Sequence, residues 1–358
     1  MFPSHKTIKN VPLTRVELHV HLDGCVRPET LWDLANEKHF KLPGNGTLGD
    51  LKKALVIRDP IDLRHFLQPF QIITPCVVSD LKAMERIATE FCEDKARNGV
   101  LYAEARFSPH LWLSAGDCRG DLAGLGEVIQ AVTRGFHKGE ELFGIKVRTI
   151  LCSINGMGTA NDVLQLCQKF RGEGVVGMDL AGNCMSDLKP YVEVPLNPEE
   201  LHAFEEARKS GIHRTLHAGE SGGPEMVHRA VENYHAERIG HGYHVLESRE
   251  IYSSILEKQI HLETCPYSSL LTGAVPLSTV KHPIVQFAED NANFSVNTDD
   301  PTVTGVDLQD DYDLVQTWGF TESLLMRANI NAAHSSFLPA DEKSELLKKL
   351  KTFIGFDS

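Results

Sequence analysis

His19 and His21 stand one residue apart inside the apolar alternation Val16, Leu18, Val20, Leu22. On a β-strand, residues i and i+2 face the same way, so both imidazoles project to one side. Two imidazoles at a strand end can pinch a divalent metal, and Asp23-Gly24 then turns the chain. The same H-x-H also fits two polar residues on a half-buried strand. Further along, His217, His241 and the pair Asp299-Asp300 close other strand-like runs. Three neutral imidazoles and a carboxylate, with room for water, suit a catalytic Zn²⁺, whereas structural zinc favours closely paired cysteines. His19, His21, His217 and Asp299 are therefore the expected ligands of one zinc ion per chain.

Such residues can meet only if the fold brings distant strand ends together. Strand patterns recur at 16–22, 99–107, 145–152, 174–182, 212–217, 237–241, 260–264 and 293–298. Helical patterns separate nearly all of them: 28–36, 80–98, 127–142, 160–171, 198–209 and 224–235. Residues 113–126 read as an exposed Gly- and Asp-rich loop, 190–198 as a linker, and the chain after 320 as mainly helical, packed outside the sheet. Alternating β and α over this length predicts a parallel sheet, and eight units predict a closed (β/α)₈ TIM-type barrel with extra helices. An open doubly wound sheet is the competitor, but no G-x-G-x-x-G follows an early strand. In a barrel the strand C-termini converge on one face, where these side chains would meet. Leu63, Phe66, Leu67 and Phe70 form an apolar stripe at helical spacing, which suits either core or one wall of a site for a flat aromatic ligand.

Composition narrows the function. The 358 residues fit one barrel domain spanning 1–358, and a hydrophobic fraction of 42 % supports a large core. The net charge of −13 is dispersed, and no basic stripe offers a grip for nucleic acid. The eight cysteines lack C-x-x-C spacing, which points to reduced thiols in a cytoplasmic protein. The first ten residues lack the apolar stretch of a signal peptide, and no run has the length of a membrane span.

From Val16-Glu-Leu-His-Val-His-Leu-Asp-Gly24 the likeness to a known family runs almost end to end. It continues through His217-Ala-Gly-Glu220, Arg238-Ile-Gly-His-Gly-Tyr-His244, Thr264-Cys-Pro-Tyr-Ser-Ser-Leu-Leu-Thr-Gly273, Asn297-Thr-Asp-Asp-Pro301 and Asn329-Ile-Asn-Ala-Ala333. These motifs resemble the eukaryotic adenosine deaminases. The resemblance implies a zinc barrel that hydrolyses adenosine, and 2′-deoxyadenosine, to the inosine and ammonia. It implies Glu220 as proton donor to purine N1, His241 as the residue that orients and deprotonates the attacking water, and Asp300 as the contact to N7. It further places the Gly182 backbone at N3, Asp23 at the ribose 5′-hydroxyl, and Leu63, Phe66, Leu67 and Phe70 on the hydrophobic side of the pocket. The expected partner is a small purine nucleoside, with no nucleic acid and no membrane, and a monomer is expected.

Two stretches depart from the family pattern. Asn183-Cys184 follows Asp179-Leu-Ala-Gly182 where the family usually continues with Asp-Glu, and Asn155-Gly-Met-Gly-Thr159 lacks the expected basic and aromatic residues. Rival readings are a relative acting on adenine, adenine nucleotides or N6-modified purines, and a deaminase-like binding protein that keeps the fold for interactions. The intact ligand set and Glu220 favour catalysis.

Overall fold

The computed structural model describes residues 14–114, 121–182 and 195–354. Eight strands appear where the alternation predicts them: Arg15–His21 (β1), Val100–Phe107 (β2), Lys146–Ile154 (β3), Val175–Ala181 (β4), His213–Ala218 (β5), Arg238–His241 (β6), His261–Thr264 (β7) and Phe294–Val296 (β8). They pair in chain order and all in parallel. Helices fill the connections, which is what parallel pairing of sequential strands requires. The fold is a (β/α)₈ barrel with additional helices.

Closure between β8 and β1 rests on few groups. Val20 forms a single parallel bridge with Asp299, in which His21 N–H donates to Asp299 O at 2.9 Å and Asp299 N–H to His19 O at 3.2 Å. Asn297 does the rest with its side chain. Its Oδ1 accepts the backbone N–H groups of Leu18 (2.8 Å) and His19 (3.2 Å), while its Nδ2 donates to Thr264 O at 3.0 Å. One amide thus ties β7 to β1 across the short end of β8. The last strand is shorter than the expected 293–298 because the chain leaves the ladder here and Asp299 adopts a left-handed φ of 68°.

The barrel interior is charged rather than purely aliphatic. Arg238 donates from Nε to Glu263 Oε1 and pairs through Nη1 with Glu104 Oε2, both at 2.7 Å. Its guanidinium lies 3.6 Å from the ring centroid of Phe337. Phe337 N–H in turn donates to Glu104 Oε1 at 2.6 Å, and Ser335 O accepts from Arg238 Nη1 at 3.0 Å. The segment between the last two helices, Glu322–Ser335 and Ala340–Ile354, therefore docks against the charged strands while Ala332, Ala333, Leu338, Leu346 and Leu350 pack on Val16, Leu18 and Tyr102.

Several elements differ from expectation. The helix predicted over 127–142 spans Leu122–Phe143, because Asp121 caps it through the N–H groups of Ala123 and Gly124. Two glycines in its first turns disguise that start in the sequence. The loop reading of 113–126 is thus wrong from Leu122 onward, and 115–120 lie outside the described residues, as does most of the 190–198 linker. The apolar stripe falls on two helices, Leu63–Phe66 and Phe70–Val77, with Pro69 between them. Helices Leu48–Leu55, Arg249–Glu257, Pro266–Leu271, Pro283–Glu289 and Leu308–Thr317 add to the pattern. Among the described residues no helix is long and apolar enough to cross a membrane. Six cysteines, Cys25, Cys76, Cys92, Cys152, Cys167 and Cys265, are free thiols; Cys118 and Cys184 lie outside the described residues.

Helix Leu122–Phe143 lies close against helix Leu81–Arg97. A Cβ on Gly135 would sit 2.3 Å from Glu85 O and 2.6 Å from Ala88 Cβ, and one on Gly139 would sit 2.4 Å from Cys92 Cβ. Gly135→Ala gains about 1 kcal/mol of helix propensity but drives a methyl into backbone, an overpacking cost of about 1–3 kcal/mol. The expected result is a net loss of stability, read as a lower denaturation midpoint with an unchanged slope. A midpoint at or above wild type would show that the two helices separate freely.

Candidate metal centre and active site

Each metal-ligand candidate sits at a strand C-terminus. His19 and His21 end β1, His217 lies near the end of β5, His241 ends β6, and Asp299 follows β8. The structure brings all five together. Ligand atoms of His19, His217, His241 and Asp299 lie within 4.8 Å of one another. His21 joins through its Nε2, 3.1 Å from His217 Nε2 and 3.4 Å from Asp299 Oδ1. The first group includes His241 where the sequence reading has His21; the five side chains form one cluster.

Carboxylates behind the cluster fix the rings. Glu263 Oε2 accepts from His19 Nδ1 at 2.7 Å, which turns His19 Nε2 inward. That nitrogen is buried, makes no hydrogen bond and lies 3.3 Å from Asp299 Oδ1. Asp179 Oδ1 accepts from His217 Nδ1 at 3.2 Å, with Oδ2 3.0 Å from the same nitrogen. Ser268 Oγ donates to Asp299 Oδ2 at 2.7 Å. Imidazoles whose outer nitrogens are held by carboxylates, with inner lone pairs converging on a further carboxylate, form a donor set that fits a divalent cation.

Arg106 on β2 joins the two supporting acids. Nη1 meets Asp179 Oδ2 at 3.1 Å, and Nη2 donates to Glu263 Oε2 at 2.6 Å and to Leu18 O at 2.7 Å. Burial alone would raise the Glu263 carboxyl, but Arg106 and Arg238 hold it well below the usual range. Asp179 is held low in the same way by His217 and Arg106. Both acids are thus ionised acceptors for the ring N–H groups. Burial holds His21 and His241 well below the ordinary histidine value, in the neutral form a ligand or proton acceptor needs.

The cluster opens into a cavity of about 260 Å³. Leu63, Phe66, Leu67 and Phe70 all line it, and Phe66 also belongs to the main core, so the stripe serves both readings. Asp23, Gly182, Glu220 and Asp300 line it as well. Glu220 Oε2 is 3.5 Å from His241 Nε2. Asp23 Oδ1 and Asp300 Oδ1 are buried without a hydrogen-bond partner. Gly24 makes room for Asp300, since a Cβ there would stand 1.8 Å from Asp300 Oδ1. Burial raises Asp300 well above the carboxylate range, and Asp299, Asp23 and Glu220 push the same way. Burial raises Asp23 to about 6.

The sequence reading missed Thr74, Leu111 and Ile154 in the cavity wall and the supporting trio Arg106, Asp179 and Glu263. Asp179 had a signal, a single charge in an otherwise apolar strand, whereas Arg106 shares β2 with Glu104 and Glu263 sits in the short, half-polar β7. Gly156, in the divergent 155–159 stretch, donates its N–H to buried Glu200 at 3.0 Å. Asn183-Cys184 lies outside the described residues.

Residues 14–353 match the family model described as adenosine deaminase. The chain is 46 % identical to the adenosine deaminase of Xenopus laevis over 350 residues, covering 95 % of this chain and 96 % of that one. It is 44 % identical to that of Gallus gallus over 350 residues, covering 95 % of each. Among solved structures, the adenine deaminase of Arthrobacter aurescens superposes with a TM-score of 0.81 at 24 % identity, over 96 % of this chain and all of that one, a likeness of fold. With the donor cluster and the cavity in the same barrel mouth, the chain belongs to the adenosine deaminase family.

Proposed function

We propose that this single-barrel chain hydrolyses adenosine and 2′-deoxyadenosine to inosine, or 2′-deoxyinosine, and ammonia, using one Zn²⁺. The observation that carries this reading is the convergence of five side chains from four strand ends beside an apolar cavity that also holds Glu220 and Asp300. His19, His21, His217 and Asp299 are assigned as ligands. His241 is kept for proton transfer because its Nε2 is turned toward Glu220. When bound, zinc lowers the pKa of a bound water toward ~7, which makes a nucleophile available at neutral pH.

The protein side chains handle the protons. Attack of water at C6 requires the purine ring to give up aromaticity, and a proton delivered to N1 by Glu220 makes that possible. His241 takes one water proton and passes it to the leaving amine. The second water proton returns to Glu220, while N1–H remains in the product. Purine N7 is an acceptor, so Asp300 serves it in the protonated form that its buried, acid-rich surroundings favour. Gly182 presents backbone to N3. The wall from Leu63 to Phe70 buries the flat base and keeps bulk water from C6. A small nucleoside fills such a site without a partner chain, and a cytoplasmic monomer agrees with the reduced cysteines.

His217→Ala removes one donor and leaves Asp179 facing a void. Metal content by elemental analysis and the ultraviolet change on adenosine should both be lost. Full activity after exhaustive chelation would exclude the metal reading. Since histidines must be neutral to bind, metal is released more readily in acid.

Glu220→Gln keeps shape and an acceptor but cannot cycle a proton. We expect kcat to fall by about 10²-fold or more, with zinc content and melting temperature near wild type. A near-normal kcat would remove Glu220 from the donor role.

Discrimination against 5′-phosphates follows from Asp23. At pH 8, above its value of about 6, this carboxylate is ionised and accepts from a 5′-hydroxyl. A phosphate there offers no proton and adds up to two negative charges. Like unit charges ~4 Å apart repel by about 4 kcal/mol at an effective dielectric of 20, roughly a thousandfold. Free adenine should also be poor, because it forfeits the ribose contacts that orient C6. The measurement is kcat/KM for adenosine, adenosine 5′-monophosphate and adenine at pH 8. Comparable values for the first two would favour a nucleotide deaminase.

A further inference from the structure

Asp299 must hold a left-handed φ of 68° for its carboxylate to face the histidines, and no glycine relieves that strain. A non-glycine residue in this region persists only where its surroundings over-determine it. The residue before it is held by a closed triangle of buried groups. Glu17 Oε1 accepts both from Thr298 N–H at 3.0 Å and from Thr298 Oγ1 at 2.5 Å. Glu17 Oε2 pairs with Lys95 Nζ at 2.8 Å, and Lys95 Nζ also donates to Thr298 Oγ1 at 3.0 Å. All three residues are buried, and none lines the cavity.

The triangle joins three elements that otherwise meet weakly. Glu17 lies on β1, two residues before His19; Thr298 follows β8; Lys95 is in the last turn of helix Leu81–Arg97. Its three corners fix the place where β8 meets β1 by a single bridge. A buried ammonium and carboxylate are costly to bring together and costlier to separate, so the triangle resists opening. Taking the zinc reading above as its basis, we propose that Lys95, Glu17 and Thr298 are positioning residues that hold Asp299 in its strained, metal-facing conformation. They act through Asp299 and touch neither substrate nor metal.

The test uses full-length zinc-loaded protein and follows release of zinc to a chromogenic chelator at a temperature where every variant is folded. Thr298→Val keeps the shape and loses only the hydroxyl, which removes one donor to Glu17 and the acceptor for Lys95. Outer-shell partners are typically worth 10–100-fold in metal affinity, and release should accelerate by about that factor. Thr298→Ser restores the hydroxyl and should release zinc near the wild-type rate. Glu17→Gln is the second probe should Thr298→Val not fold, with the same acceleration expected. Ile255→Val, which trims a buried core side chain on helix Arg249–Glu257, an element that carries no triangle or ligand residue, supplies a mildly destabilised protein, and its zinc release should match wild type. Wild-type release from both Thr298→Val and Glu17→Gln would overturn the proposal. So would equal acceleration in Thr298→Ser, or acceleration in Ile255→Val that scales with lost stability. Wild-type protein that binds zinc but leaves adenosine unchanged would sink the proposed reaction and leave the triangle's role standing. Protein that takes up no zinc would overturn both.

Discussion

One buried guanidinium organises this barrel. Arg106 touches Asp179, Glu263 and the carbonyl of Leu18, and the two acids in turn hold His217 and His19. A guanidinium presents several donors in a fixed plane, so it can brace two carboxylates at once, which an ammonium on a flexible stem does less well. Through that brace the distance between β4 and β7 is linked to the orientation of two imidazoles. The links continue downward through Glu263 to Arg238, Glu104 and Phe337. The metal cluster at one end of the barrel and the docked C-terminal segment at the other thus belong to one charged column.

Such a column is an expensive way to fill a barrel. Buried ion pairs gain little over well-packed hydrophobic residues, because desolvation consumes most of the attraction. An aliphatic core would leave His19 and His217 free to rotate and to choose either tautomer. The acids remove that freedom, and the arginines keep the acids ionised. The arrangement is explained by what the histidines need at the mouth, and stability comes instead from the apolar layer between strands and helices.

The strands and their chemistry-bearing ends were legible in the sequence because they obey a local rule. Alternation of apolar residues marks β1, and a polar residue at the last turn of the pattern marks the mouth. His19, His21, His217, His241 and Asp299 could therefore be grouped before any contact was known. What the sequence hid is non-local. Arg106 reads as an odd charge in Tyr102-Ala-Glu-Ala-Arg-Phe107, and only the barrel's curvature brings it to acids 73 and 157 residues away. Asn297 reads as one more residue of the last strand, yet its side-chain amide closes the sheet. The start of the helix at Leu122 was masked by Gly124 and Gly126, which lie against the capping Asp121 carboxylate and the Phe170 ring rather than in a turn.

Strain at the mouth links these observations. Both His241 and Asp299 have φ of 68°, a conformation that side-chain-bearing residues seldom adopt. Each such residue costs on the order of 1–3 kcal/mol, and a glycine would relieve it but offer no donor atom. A strand that simply continued would carry the side chain past the axis or into the neighbouring helix layer. Turning the backbone left-handed at the last residue instead aims the side chain across the barrel mouth. The strain can therefore be placed only where the strand below is immobile, and β6 and β8 are among the shortest strands of the sheet. Their short ladders cannot supply that rigidity alone. The buried side-chain bonds of Arg238, at the start of β6, and of Asn297 and Thr298, just after β8, supply it, so the polar column and the strained ends are two parts of one construction.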